Sequence, residues 1–243
     1  MNLVLDLGNT RSKIALFDRS TLVASDSMGA RPSSEELQKW LQNHPQANQA
    51  IISSVVDHSV ELEDWIRTRM ELIVLDSSTP LPIKNDYATP DTLGKDRLSA
   101  AVGAQSLFPG KAVLSIDFGT CIKYDFVSPE GTYLGGAISP GLNMRFRSLH
   151  TFTDKLPLLQ LDGNPELIGR DTNSSILSGV AQGIIFEIEG AMRAYSSQWS
   201  NLNTIFTGGD HQYFAKAFKN SIFARPELTL IGLNRILEYN EDR

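Results

Sequence analysis

One pattern occurs twice in this chain and limits its fold more than any other feature. "VLDLGNT" (4–10) and "SIDFGTC" (115–121) each close an apolar run with aspartate, an apolar residue, glycine and a small polar residue, then begin a second strand-like run. The elements around the two copies also repeat. In the first half, strands at 3–8, 13–18 and 22–26 are joined by connections short enough for antiparallel hairpins. A helix over 33–44 follows, with Ser33 and Glu36 at capping-box spacing, Leu37, Trp40 and Leu41 on one face, and Pro45 as its stop. A strand at 50–56, a helix through Leu62, Trp65 and Ile66, a strand at 72–76 and a helix near 92–107 complete the order β-β-β-α-β-α-β-α.

The second half runs the same way. Strands at 112–119, 122–127 and 132–139 lead to a short helix at 142–150 and a polar loop. A long helix over roughly 174–197 carries Ile176, Val180, Ile184, Ile188, Met192 and Tyr195 at helical spacing. Gly179, Gly183 and Gly190 would weaken that helix, so close packing is expected to compensate. A strand at 204–210, a helix, a strand at 228–231 and a helix at 232–239 finish the chain. Two halves with one element order predict an internal duplication. The expected fold is α/β, with two βββαβαβα halves, 1–111 and 112–243, whose mixed sheets face a shared ligand cleft.

Composition narrows the functions. A net charge of −6 without a basic cluster argues against a nucleic-acid partner. No run of eighteen apolar residues spans a membrane, and the N-terminus lacks the basic segment of a signal peptide. The single cysteine, Cys121, forms no internal disulfide, which fits a cytoplasmic protein, and it reads as a small core residue rather than a nucleophile. His44, His58, His150 and His211 show no metal-ligand spacing, so any metal is expected to be a hard cation held by oxygens.

A carboxylate at a strand end followed by a glycine turn suits a magnesium nucleotide. Glycine lets backbone N–H groups approach phosphate oxygens. Thr10, Ser12 and Thr120 add hydroxyl donors, and Lys13 adds positive charge. The aspartates would hold Mg²⁺ directly or through its waters. "FTGGD" (206–210) offers a further glycine turn against which an adenosine could lie flat. A single such turn is often no more than a turn; two at matched positions, with this third, point to a nucleotide site.

"YATPDTLGKDR" (87–97) belongs to no general nucleotide site. Pro90 and Gly94 punctuate a loop, and Asp96 and Arg97 begin a helix, whose N-terminus favours an anion. Arg97 offers a fork matched to a carboxylate. The plainer alternative is an exposed Asp–Arg pair that caps the helix.

The paired turns in duplicated halves resemble the actin, sugar-kinase and Hsp70 ATPase superfamily, with its RNase H-like fold. Within it, the series "DLGNTRSK" (6–13), "GKDR" (94–97), "DFGT" (117–120), "GGAISPG" (135–141), "GRDT" (169–172) and "TGGD" (207–210) is similar to type III pantothenate kinases. The resemblance implies transfer of the ATP γ-phosphoryl group to the 4′-hydroxyl of pantothenate, the first step of coenzyme A biosynthesis. It implies ATP contacts from Asp6, Leu7, Gly8, Asn9, Thr10, Arg11, Ser12, Lys13 and Thr120, with Mg²⁺ on Asp6 through water. It places pantothenate against Tyr87, Gly94, Lys95, Asp96, Arg97 and Thr172, with Asp96 as the proton acceptor. It implies a homodimer whose pocket lies near the interface, and potassium or ammonium beside Asp117.

Thr172 has a competing use, since Thr172 or Asn173 would make a natural N-cap for the long helix. That helix is also the candidate dimer surface. The chain departs from the family after "DFGT", where Ala-Thr-Thr-Phe-Asp is replaced by "CIKYD" (121–125). Ile122 and Lys123 thus stand in place of two hydroxyls. Lys123 either weakens or replaces the monovalent cation, or points to solvent from the other face of its strand, which is the simpler expectation. Two rival functions keep the fold: a kinase for another small alcohol or acid, and a regulatory homologue that binds nucleotide without catalysis.

Overall fold

The computed structural model describes residues 1–44, 47–56, 60–218 and 222–241. Alternation shapes its first sheet. Along β1 (Asn2–Leu7), Leu3, Leu5 and Leu7 join one apolar cluster while Val4 joins another on the opposite face. This is the period-2 pattern of a strand buried on both sides. β2 (Arg11–Asp18) pairs antiparallel with β1, setting Leu5 opposite Ile14 and Asp6 opposite Lys13. β3 (Thr21–Gly29) continues antiparallel, while β4 (Gln49–Ser54) and β5 (Glu71–Val74) add in parallel on the other side. The order is β3-β2-β1-β4-β5.

Parallel neighbours require crossovers. α1 (Ser34–Leu41) and α2 (Val60–Arg67) supply them, burying Leu37, Leu62 and Ile66 against Leu3 and Leu5. The Ser33–Glu36 capping box is formed. The expected stop at Pro45 lies outside the described residues, as does His58.

The other face of this sheet takes α3 (Lys95–Leu107) and α7 (Leu228–Glu241), which set Val102, Leu230, Leu233 and Leu237 against Val4, Ala15 and Ile51. The two helices cross at glycines. A Cβ on Gly232 would stand 1.8 Å from the Ser99 carbonyl oxygen, and one on Gly103 would stand 2.4 Å from that of Leu228. Residues 228–231, expected as a strand, are the first turn of α7. Their leucines continue the helical spacing through Leu233 and Leu237, and the edge-strand place is taken by β11 (Phe223–Ala224).

A second sheet runs β11-β10-β7-β8-β9, from β10 (Asn203–Thr207), β7 (Val113–Phe118), β8 (Cys121–Val127) and β9 (Thr132–Pro140). Leu114, Ile116, Phe118, Ile122 and Tyr124 face a core completed by Phe146 of α4 (Leu142–Thr151) and by Ile176, Val180, Ile184 and Ile188 of α5 (Thr172–Gln198). The Phe118 ring packs against both Phe206 and Phe214, the latter on α6 (His211–Ala215), at 4.9 and 5.0 Å between centroids. The element order thus repeats, each half giving a mixed sheet with α layers, as the duplicated α/β reading expects.

The chain forms two compact units: Met1–Gly110 with Val127–Gly135 and Glu227–Arg243, and Lys111–Phe126 with Gly136–Pro226. The first unit therefore includes the C-terminal helix and the start of β9, whereas the sequence division at 111/112 put both in the second half. β6 (Lys84–Asn85), a strand with no sequence forecast, pairs in parallel with the start of β9 and draws Tyr87 to Tyr133.

A polar knot fastens the helices of the second unit. The Glu187 carboxylate on α5 accepts hydrogen bonds from Tyr124 Oη (2.7 Å) and Ser139 Oγ (2.6 Å) and pairs with Arg145 on α4. Burial pushes the Tyr124 hydroxyl pKa well up, reinforced by the bond to Glu187. Burial also opposes the Glu187 charge, but the bonds from Ser139, Arg145 and Tyr124 outweigh it and hold the carboxyl below its ordinary range.

Candidate active site

The first turn follows β1. Asp6 lies level with Lys13 on β2 and with Ser53 on β4. Register partners share a face, so the three polar side chains form a row across adjacent strands. That face is the one α3 and α7 cover. Gly8 is required by close approach, because a Cβ there would stand 2.7 Å from the Arg11 carbonyl oxygen. Asn9, Thr10 and Arg11 are exposed at the turn, while Leu7 is buried and its carbonyl accepts from the Val55 N–H at 3.1 Å within the sheet. Ser12 is buried as well, and its hydroxyl donates to the Ala30 carbonyl at 2.9 Å. In this structure that hydroxyl ties β2 to the chain beyond β3.

Ser53 escaped the sequence reading. Its side chain is 0% exposed and its hydroxyl has no hydrogen-bond partner in the structure, although it sits beside Asp6. Two serines ending an otherwise apolar strand, "AIISS", were the available signal.

The second cluster stands at the N-terminus of α3, on the same unit. Asp96 Oδ1 accepts from the Arg97 backbone N–H at 2.9 Å. Gly94 makes room for it, since a Cβ there would stand 2.6 Å from that oxygen. Arg97 is 6% exposed, with its guanidinium carbon 5.7 Å from the Tyr87 ring centroid. This is cation–π range. The alternative of an exposed Asp–Arg pair is therefore excluded for Arg97.

Tyr87 stacks on the buried Tyr133 at 6.0 Å. It also lies across Gly135, whose φ of +101° suits glycine and whose Cβ would meet the ring at 3.2 Å. Lys95, Asp96 and Tyr87 are half-buried. The structure thus gathers Tyr87, Gly94, Asp96 and Arg97 as the sequence expected and adds Tyr133 and Gly135.

The second turn follows β7 in the other unit. Leu114, Ile116 and Phe118 face the core, so Asp117 projects from the opposite side. On β8, Ile122 and Tyr124 likewise face the core, which puts Lys123 on the Asp117 side. Lys123 Nζ stands 2.7 Å from Asp117 Oδ2, with the two side chains 18% and 15% exposed. The expectation that Lys123 leaves for solvent on the other face is thereby corrected. Gly208, at φ +89°, brings "TGGD" against the aspartate: a Cβ there would stand 2.3 Å from Asp117 Oδ1. Gly209 faces open space. Burial pushes the pKa of Asp210 up. Gly141 fits against the Gly119–Thr120 turn, and Thr120 is exposed.

Thr172 opens α5 and is exposed, but it is not the cap. Asp171 takes that role, accepting from the Ser174 N–H at 2.8 Å, and that bond holds the Asp171 carboxyl below its usual range. The expected N-cap at Thr172 or Asn173 is thus one or two residues late. The expectation about the α5 glycines also changes. No atom lies within 4 Å of a Cβ on Gly179 or Gly190, and at Gly183 the Arg145 guanidinium lies at 4.0 Å.

Among the described residues, no three His, Cys, Asp or Glu converge as a metal cage, and no helix is long and apolar enough to cross a membrane. A single carboxylate such as Asp6, beside hydroxyl donors, fits Mg²⁺, which keeps most of its water and takes other ligands from phosphates.

Known proteins resemble this chain over its length. The family model described as type III pantothenate kinase matches residues 2–194. A type III pantothenate kinase of Christiangramia forsetii is 46% identical over 99% of both chains, and one of Bacteroides fragilis is 44% identical over the whole of both. Among solved structures, a Campylobacter jejuni protein described as a Baf family transcriptional activator superposes with a TM-score of 0.62 at 19% identity, covering 99% of this chain and 100% of that one. A Sinorhizobium meliloti protein described as a 2-dehydro-3-deoxygalactonokinase superposes with a TM-score of 0.59 at 14% identity over 99% of each chain. These two likenesses speak for the fold, which is that of the actin-like ATPases. By the family match and the full-length relatives, the chain belongs to the type III pantothenate kinase family.

Proposed function

We propose that this kinase phosphorylates pantothenate on its 4′-hydroxyl at the expense of ATP, in coenzyme A biosynthesis, with Asp96 as proton acceptor. The observation that carries the reading is the cluster at the start of α3, where a carboxylate, a buried arginine and an aromatic ring converge. Pantothenate has a carboxylate at one end and a primary hydroxyl at the other, so it needs both a cation and a base. Arg97 meets the carboxylate, held in place by Tyr87. Asp96 takes up the hydroxyl proton as the hydroxyl oxygen bonds to the γ-phosphorus and the bond from that phosphorus to the β-phosphate oxygen breaks, releasing ADP.

Positioning and charge neutralisation make up most of what a protein contributes to such a transfer. The Asp6 turn binds the phosphates through backbone N–H groups from Gly8 to Arg11, with Lys13 adding positive charge. Ser12, its hydroxyl committed to Ala30 and its backbone lying between β1 and β3, supports the turn rather than meeting the phosphates directly. Thr120 donates its hydroxyl to the nucleotide, and Gly209 offers the open backbone for adenosine. Asp6 would hold Mg²⁺, which when bound would neutralise triphosphate charge. The Ser53 hydroxyl, level with Asp6 on the neighbouring strand and without a hydrogen-bond partner in the structure, would be available to a water there.

A homodimer belongs to the same reading. Gly179, Gly183, Phe186 and Gly190 recur along one face of α5, and Phe186 is 56% exposed. A face of small residues around one aromatic lets a second helix approach closely. ADP release measured over a panel of acceptors tests the substrate: pantothenate alone should support rapid turnover, and equal turnover with sugars or acetate would move the assignment to another alcohol or acid.

A further inference from the structure

Members of the family are expected to bind potassium or ammonium beside the second aspartate, and the residues here do not fit that ion. Asp117 Oδ2 is met by the Lys123 ammonium at 2.7 Å, and Oδ1 lies against the glycine turn at Gly208. Both partners are mostly buried, and strand alternation fixes Lys123 on the Asp117 face. We infer that Lys123 is the built-in cation of the second turn, doing through a covalently attached ammonium what a bound monovalent ion would otherwise do.

The chemistry is a close match. An ammonium carries one positive charge and several N–H donors, as free NH₄⁺ does, and its tether removes the entropy cost of recruiting an ion. A potassium ion could reach Asp117 only by displacing that ammonium or by lying beside a like charge, both unfavourable in a site of low exposure. The neighbouring Ile122 points the same way. It turns into the core at 1% exposure, so this position offers no oxygen ligand. Lys123 is thus a positioning residue: it holds the charge balance and geometry of the Asp117 turn on which the nucleotide rests.

This inference rests on the proposed function only in taking the Asp117 turn as part of a nucleotide site, so its test includes a readout that needs no pantothenate. The full-length protein is compared in choline chloride and in potassium chloride at equal ionic strength, by ADP release with pantothenate and by calorimetric titration with MgADP. Turnover and nucleotide affinity of the natural protein should change by less than about twofold between the salts. In Lys123→Met, both should fall by roughly tenfold or more in choline and recover in potassium or ammonium, because the vacated carboxylate can then take a free ion.

Activation of the natural protein by roughly tenfold in potassium would overturn the inference without any variant. So would a Lys123→Met protein that matches the natural one in choline. Salt-independent MgADP binding without turnover on pantothenate would sink the functional reading and leave Lys123 upheld as the resident cation.

Discussion

At the residue scale the account concentrates on Asp96, Arg97 and the glycine before them. Asp96→Asn keeps the size and the hydrogen bond to the Arg97 N–H but cannot take a proton. Its kcat should fall on the order of 10²–10⁴-fold with KM for pantothenate little changed. Arg97→Met should show the converse, a KM for pantothenate raised by roughly tenfold or more, because a buried charge-assisted bond to the substrate is lost. Gly94→Ala places a methyl carbon where the Asp96 carboxylate now stands, 2.6 Å from Oδ1. The carboxylate should be displaced, so kcat should drop while the melting temperature stays near that of the natural protein. Steady-state kinetics on the three variants separates these effects.

These residues were legible before the fold was, because Asp96, Arg97 and Gly94 sit together in one short stretch. Ser53 and Tyr133 were not. Each enters the site through strand pairing, β4 beside β1 and β9 beside β6, and such pairing is invisible in a sequence read locally.

At the scale of elements, hydrophobic period found nearly every strand and helix, with two instructive failures. Residues 228–231 read as a strand in isolation, since four such residues fit either pattern; the glycine crossing of α3 and α7 decides for the helix. The α5 glycines left packing against another copy or against the chain's own core open; Gly179 and Gly190 meet nothing of the chain, and Gly183 lies beside Arg145. What keeps α5 in place is apolar burial plus the Glu187 knot, which no spacing rule foretells because its partners come from three separate elements.

That knot is sensitive to acid. The Glu187 pKa is lowered from its ordinary 4.5, so its charge contributes stability above that value, and the contribution is lost as pH falls through the depressed folded-state pKa. Glu187→Gln should therefore flatten the acid limb: below about pH 4.5 the difference in melting temperature between natural and variant proteins should shrink, while at pH 7 the variant melts lower. A difference that grows on acidification would contradict this.

At the scale of the whole molecule, the duplication was readable from the two Asp-x-Gly turns, whereas the division into units was not. The chain returns to its first unit through 127–135 and through α7, and no composition shift marks either return. The proposed dimer uses the outward face of α5. Replacing Phe186 by aspartate should convert a dimer to a monomer in light scattering after size exclusion, because a charge on a helix–helix contact cannot be desolvated cheaply. A natural protein that runs as a monomer would remove that part of the account.

The central claim is that a carboxylate at the start of α3 accepts the proton of the pantothenate hydroxyl as ATP gives up its γ-phosphoryl group. Mass spectrometry of the product formed from ATP and pantothenate by the natural protein and by Asp96→Asn tests it most directly. The account predicts 4′-phosphopantothenate from the natural protein and a loss of at least about 10²-fold in its rate of formation with Asp96→Asn. Undiminished product from the variant, or a natural protein that hydrolyses ATP without phosphorylating pantothenate, would contradict it.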